Sequence, residues 1–246
     1  MISKNRSKKL PNFLLVALLT IILIFTAFHE GFLSLISVLF WVVLIAGILI
    51  TVWLAWSSST SRVLSLLLGI FIIEYIKEAI GIRSQLWTYN GIGKQFNFGV
   101  WAWVLGGLVV YTLATKVTIP LIKKLHWSPP KWLNPVILII LAALIPLTLG
   151  AYWSGTGCLF WAFYILLTLV CIYASLKMDF SVVIGIVITA WIISNPSEYV
   201  GSINSGVWTF THNPHYPPFF LLFGCWPLET LTQYFLSAFL ANESLD

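Results

Sequence analysis

"EAIGIRSQLWTY" at Glu78–Tyr89 and "EYVGSINSGVWTF" at Glu198–Phe210 are nearly the same phrase written twice. Each places a carboxylate at the end of an apolar run, a glycine three residues on, and then Trp-Thr-aromatic. The correspondence extends outward from the phrase. "LFW" at Leu39–Trp41 recurs at Leu159–Trp161, 120 positions later. Glu78 and Gly81 recur as Glu198 and Gly201 at the same offset. Trp87 and Thr88 recur as Trp208 and Thr209 after one inserted residue. "LPNFLL" (Leu10–Leu15) has a weaker echo in "LNPVIL" (Leu133–Leu138). Matching indoles alone is cheap in a chain with 13 Trp; an ordered series at a near-constant offset is not.

The repeat sits in a chain of membrane composition. Of 246 residues, 59% are hydrophobic and only 9% charged, whereas a soluble domain is about 25% charged. A membrane-crossing helix needs roughly 20 mainly apolar residues. Eight stretches meet that need: about 12–28, 32–55, 62–80, 99–119, 135–152, 157–175, 179–195 and 217–241. The expected fold is an all-α polytopic membrane bundle of two tandem four-helix repeats, 1–125 and 126–246, integrated into one membrane domain. Because four is even, the two repeats run in the same direction, related by an axis along the membrane normal. Two equivalent helix ends then meet near one membrane face.

Orientation follows from Lys and Arg, which gather on the cytoplasmic side. With the N-terminus inside, that side collects Lys4, Arg6, Lys8, Lys9, Arg62, Lys116, Lys123, Lys124, Lys131 and Lys177. The other side holds Arg83 and Lys94 in its loops, with Lys77 near a helix end. Both copies of the phrase then face outward, in a multi-pass protein of the cell membrane. The basic start "MISKNRSKKL" precedes an apolar run that lacks a small-x-small cleavage pattern, so it is read as a retained first helix. The net charge of +5 reflects this loop bias and not nucleic-acid binding. Cys158, Cys171 and Cys225 show no metal spacing and are read as packing residues. His212 and His215 are too weak a pair for a metal site, and His29 and Glu30 are placed at the interface. No cofactor motif is visible.

An ionisable residue within hydrocarbon is a functional candidate by default. Glu229, in "FGCWPLETLTQYF", lies about ten residues into the last helix, roughly 15 Å deep. No Lys, Arg or His stands within one turn of it along the chain, and it is read as a proton donor. Glu78 and Glu198 end their helices where the macrodipole disfavours a carboxylate, which calls for a specific partner or role. Glu74 pairs with Lys77 one turn away. Trp87, Tyr89, Trp208 and Phe210 form the aromatic half of the phrase, and Trp103 and Trp226, with Trp101, can extend it into a wall. Such ring faces attract positive charge. Pro227 is expected to kink the last helix beside Glu229.

Glu78 with Trp87 and Tyr89, Glu198 with Trp208 and Phe210, and Pro227-Leu228-Glu229 resemble the lycopene cyclase domain, an integral-membrane, two-repeat carotenoid cyclase family. The Glu-x-x-Gly opening is also similar to carotenoid hydratases, and the arrangement to membrane meroterpenoid cyclases. The family usually shows Asp where Glu78 and Glu198 stand, a second acid where Thr230 follows, and three helices per repeat. The resemblance implies a redox-neutral, cofactor-free isomerase of the intramolecular lyase type. An acid would protonate a terminal double bond of a linear isoprenoid, the cation would close a ring, and a base would take a proton back. A hydratase would trap the cation with water. A different class, a proton-coupled transporter or lipid-binding protein, also suits parallel repeats with buried carboxyl groups. The expected partners are an apolar isoprenoid or lipid substrate and membrane lipids, with a homo-oligomer compatible with the sequence.

Overall fold

The apolar runs become helices whose ends are set by local chemistry. A computed structural model describes residues 9–92, 95–126, 129–212 and 218–243. Helix α1 (Leu10–His29) is followed by a 3-10 turn and α2 (Val38–Ser57). The run expected from residue 32 begins its α-helix only at Val38, because Ser37 Oγ accepts from Phe40 N at 3.2 Å and caps it. Ser59 caps α3 (Thr60–Arg83) in the same way, through Arg62 N at 3.2 Å. After strand β1 (Trp87–Tyr89) come α4 (Asn97–Lys124), α5 (Leu133–Thr148), α6 (Cys158–Ser175) and α7 (Phe180–Asn204). Strand β2 (Trp208–Phe210) leads to a π-wound segment, Phe220–Cys225, which runs directly into α8 (Trp226–Ala241).

Among the described residues, α1, α2, α4, α6 and α7 are long and apolar enough to cross a membrane. The architecture is a helical membrane bundle. The outward faces of α1 and α2 carry Leu14, Leu18, Ile21, Phe25, Val42 and Leu49, all exposed. Such a surface fits contact with lipid. α3 and α8 pack most extensively against each other and form the centre. These two helices carry the buried ionisable residues Arg62, Glu74, Lys77, Glu78 and Glu229.

Among the described residues, three helices contain π-helical turns, and each adjoins a proline. Ala114–Thr118 precedes Pro120, Tyr199–Asn204 follows Pro196, and Phe220–Cys225 precedes Pro227. Proline lacks an N–H and its ring crowds the carbonyl four residues back. Widening the turn before Pro120 and before Pro227 relieves that clash without breaking the helix, whereas the turn after Pro196 lies beyond the crowded carbonyl of Ile192. The kink expected at Pro227 is therefore realised as π winding.

Two asparagines solve the same problem in different places. Asn12 Nδ2 donates to Ala55 O and Ser58 O, both at 2.9 Å. Asn134 Nδ2 donates to Ser175 O and Met178 O, both at 3.0 Å. Each amide satisfies carbonyls left unpaired at the C-terminus of the next helix. These are the asparagines of the "LPNFLL" and "LNPVIL" echo.

Two placements depart from the sequence reading. Glu30 is not interfacial but buried, its Oε2 accepting from Phe98 N at 3.1 Å at the start of α4. Cys158 is exposed and not packed, while Cys171 and Cys225 are buried. His215, Lys94, Lys4, Arg6 and Lys8 lie outside the described residues.

Substituting Asn12 by Leu should remove the side-chain donor from Ala55 O, Ser58 O keeping Lys9 Nζ at 2.7 Å, and substituting Asn134 by Leu should remove it from both Ser175 O and Met178 O. A loss of about 1–3 kcal/mol is expected for each, read as a lowered thermal midpoint of the detergent-solubilised protein. Unchanged midpoints would show that these amides are not structural.

Candidate functional site

The phrase is a small machine for holding a carboxyl group. Trp87 Nε1 donates to Glu78 Oε2 at 2.8 Å, and Trp208 Nε1 donates to Glu198 Oε2 at 2.7 Å. In each case the indole lies flat on the helix over the glycine. A Cβ on Gly81 would stand 1.9 Å from Trp87 Cζ2, and one on Gly201 1.8 Å from Trp208 Cη2. Only a residue without a side chain lets the ring come that close and reach the carboxyl one turn back. The glycine, the glutamate and the tryptophan therefore form one unit.

The one-residue insertion between Gly201 and Trp208 does not disturb this unit. The chain closes back on α3 through Leu86 N→Gly81 O and on α7 through Val207 N→Gly201 O, both at 2.9 Å. The π winding of Tyr199–Asn204 takes up the extra residue.

Strands β1 and β2 pair antiparallel, with Trp87 opposite Phe210, Thr88 opposite Thr209 and Tyr89 opposite Trp208. Alternation puts the threonines on one face and the four aromatic rings, all buried, on the other. The ribbon thus lays an aromatic roof over the two carboxyl groups. Trp103 of α4 and Trp226 of α8 complete the wall, with Trp103 5.7 Å from Trp208 and 5.0 Å from Trp226 between ring centroids. Trp101 instead points away, packed on Phe71 at 4.9 Å.

Beneath the roof is a void of about 10 Å³, bounded by Lys77, Glu78, Glu198 and the aromatic residues. That is room for about one water molecule. All six aromatic residues expected in the wall border it. Of the three expected carboxyl groups, Glu78 and Glu198 face the void and Glu229 does not.

Glu229 belongs to a charge cluster behind the void, centred on a residue that the sequence reading placed near a helix end. Lys77 Nζ forms an ion pair with Glu74 Oε2 and lies 3.4 Å from Glu78 Oε1 and 3.8 Å from Glu229 Oε2. It also sits over the Trp103 ring, 4.7 Å from the centroid. Gln233 Nε2 donates to Glu74 Oε1 at 2.7 Å, and Tyr164 OH donates to Glu229 Oε1. These four charged residues are each at most 4% exposed. Glu229 has no basic neighbour on its own helix, as expected; its cation comes from α3.

Glu74, Lys77 and Glu78 fall on one face of a helix, and that spacing is the signal by which Lys77 could have been found. Tyr164 stands in an apolar helix with nothing local to mark it. The carboxyl groups differ in their donors. Glu78 has an indole N–H, the Tyr89 hydroxyl at 3.1 Å and the ammonium of Lys77. Glu198, among the described residues, has the Trp208 N–H alone and no ammonium within ion-pair distance. His212 packs edge-on against Tyr152, away from this cluster.

No family model, curated protein or solved structure matches the chain.

Gly201→Ala should push the indole off α7 and break its bond to Glu198. A destabilisation of about 1–3 kcal/mol is expected, with a changed near-UV circular dichroism signal. An unchanged spectrum and midpoint would mean that the ring has room to spare. Lys77→Met should cost about 3–5 kcal/mol, because it leaves buried carboxylates without their cation. Adding Glu74→Gln to it should recover part of the lost thermal stability; no recovery would place the defect elsewhere.

Proposed function

We propose that the chain is an integral-membrane enzyme that protonates a terminal double bond of a linear isoprenoid and closes a ring through a carbocation. The single observation that carries this reading is the pair Glu78 and Glu198. They come from two helices, each is held by an indole N–H, and both face one small void under an aromatic roof. The lycopene cyclase resemblance points the same way. So do the matching units on α3 and α7, which support two like-oriented four-helix halves, 1–125 and 126–246. In that arrangement the chain crosses the cell membrane eight times with its N-terminus in the cytoplasm.

The roles follow from the donors. A cluster of four carboxyl groups and one ammonium, removed from water, keeps its charge balance with protons. Glu198, with one donor and no ammonium in reach, is the carboxyl best placed to carry one. Its O–H bond breaks as the proton bonds to a terminal alkene carbon, leaving a tertiary cation at the neighbouring carbon. A second double bond supplies an electron pair to that cation and forms the ring bond. The positive charge moves to the far carbon of that second double bond, and Glu78, bonded by three partners, removes a proton from the carbon beside it and restores a double bond. The substrate is neither oxidised nor reduced, and the proton passes back to Glu198. Glu229, whose depth in the sequence suggests a donor, lies off the void and serves with Glu74 as counter-ion to Lys77. Indole faces stabilise the cation by about 2 kcal/mol or more when desolvated. Lys77 already occupies one face of Trp103, so Trp208 and Trp226 carry that role.

A hydratase is the second reading, favoured by the water-sized space between Glu78 and Glu198. Water held there would trap the cation.

Expression in cells that make lycopene or another linear polyene should yield a product of unchanged mass with shifted absorption. A product heavier by one water would select the hydratase. Glu198→Gln and Glu78→Gln should each lower conversion by about 10²–10⁴-fold, with protein levels held equal. Full conversion by both variants would remove the acid–base assignment. Proton flux into liposomes without conversion would replace the enzyme by a transporter.

A further inference from the structure

The void is far too small for an isoprenoid, so a substrate must reach it through the wall. Two wall residues, Trp103 and Trp208, also line a second cavity, a groove between α2, α4 and α7 of about 290 Å³. That is close to the lower end of the about 300–1,000 Å³ usual for small-molecule sites. Its outer rim includes Val43 and Ile192, both exposed on the apolar, lipid-facing side of the bundle. Small side chains, Ala46 on α2 and Ala102 on α4, leave the space open.

The chemistry of the groove selects its occupant. Apart from the two indoles, Ser197 is its one polar lining side chain, and its hydroxyl already donates to Ile193 O at 2.7 Å. The Trp208 N–H is committed to Glu198. The Trp103 indole N–H is the one other side-chain donor in the lining, so a polar headgroup seated there would replace few of its hydrogen bonds to water, at a cost of a few kcal/mol. A hydrocarbon chain loses nothing.

We propose that this groove is the binding site for a single linear, headgroup-free unsaturated hydrocarbon chain. The chain docks from the lipid side with its terminal double bond against Trp103 and Trp208, which part to admit that end to Glu78 and Glu198. The seat itself stands on the groove's shape and lining; only the reaction at the inner end rests on the function proposed above.

The test uses the full chain in nanodiscs and a photoreactive probe, a linear C20 isoprenoid hydrocarbon carrying a diazirine at one end. After illumination, mass spectrometry locates the labelled residues. Labels are expected on the facing segments of α2, α4 and α7, and excess squalene should abolish them. Ala46→Trp and Ala102→Phe, which fill the groove, should each lower labelling there about tenfold. Leu49→Trp, on the lipid-facing side of α2 outside the groove, should not, which controls for folding. Glu198→Gln should leave labelling intact even if it stops conversion. Labelling without conversion in the wild-type protein would keep this site and remove the enzymatic reading. Labels spread evenly over the lipid-facing surface, or unaffected by Ala46→Trp and Ala102→Phe, would overturn the site. Displacement by phospholipid but not by squalene would make the occupant an ordinary acyl chain and overturn the proposal as well.

Discussion

A lysine ammonium taken into an apolar helical bundle is costly, and the centre of this protein is organised to make it tolerable. Lys77 reaches Glu74 and Glu78 on its own helix and Glu229 on α8, and rests on the face of Trp103. The effective penalty for burying one ion is several kcal/mol, and it is offset only where charge and hydrogen bonds meet in good geometry. That requirement ties α3 to α8, the most extensive helix contact in the bundle. It also explains why the polar side chains gather on two central helices while α1 and α2 show apolar faces to the outside.

The repeated phrase is built on this centre. Gly81 and Gly201 let an indole lie against a helix, the indole N–H holds a carboxyl group, and the next residues pair as a short ribbon. The same local solution appears twice with different detail, since a π turn absorbs one added residue in α7. What matters physically is the bond from indole to carboxyl, and the backbone bends to keep it.

Charge cluster, aromatic roof and lateral groove divide the labour of one site. Lys77, Glu74 and Glu229 supply a fixed electrostatic background. Glu78 and Glu198 face the void with unequal sets of donors, the difference on which the proposed base and acid roles rest. Trp103 and Trp208 stand between that chemistry and a groove open to lipid. In the proposed reaction, such a division suits an apolar reactant that enters from the lipid side.

The amino-acid sequence alone determined the helical membrane class, the paired phrase, and the aromatic residues around the void. These follow from run length, composition and spacing, which are local properties. It also marked Glu78, Glu198 and Glu229 as costly enough to need a reason. Three features were decided only by tertiary packing. Lys77 meets Glu229 because α3 lies on α8, and no periodicity along either helix announces that contact. The exposed rim of the groove depends on small residues from separate helices leaving one shared gap. The size of the void, and hence which carboxyl groups face it, depends on how six aromatic rings interlock. Periodicity can show which side of a helix is buried, but the neighbour it is buried against is a property of the assembled bundle.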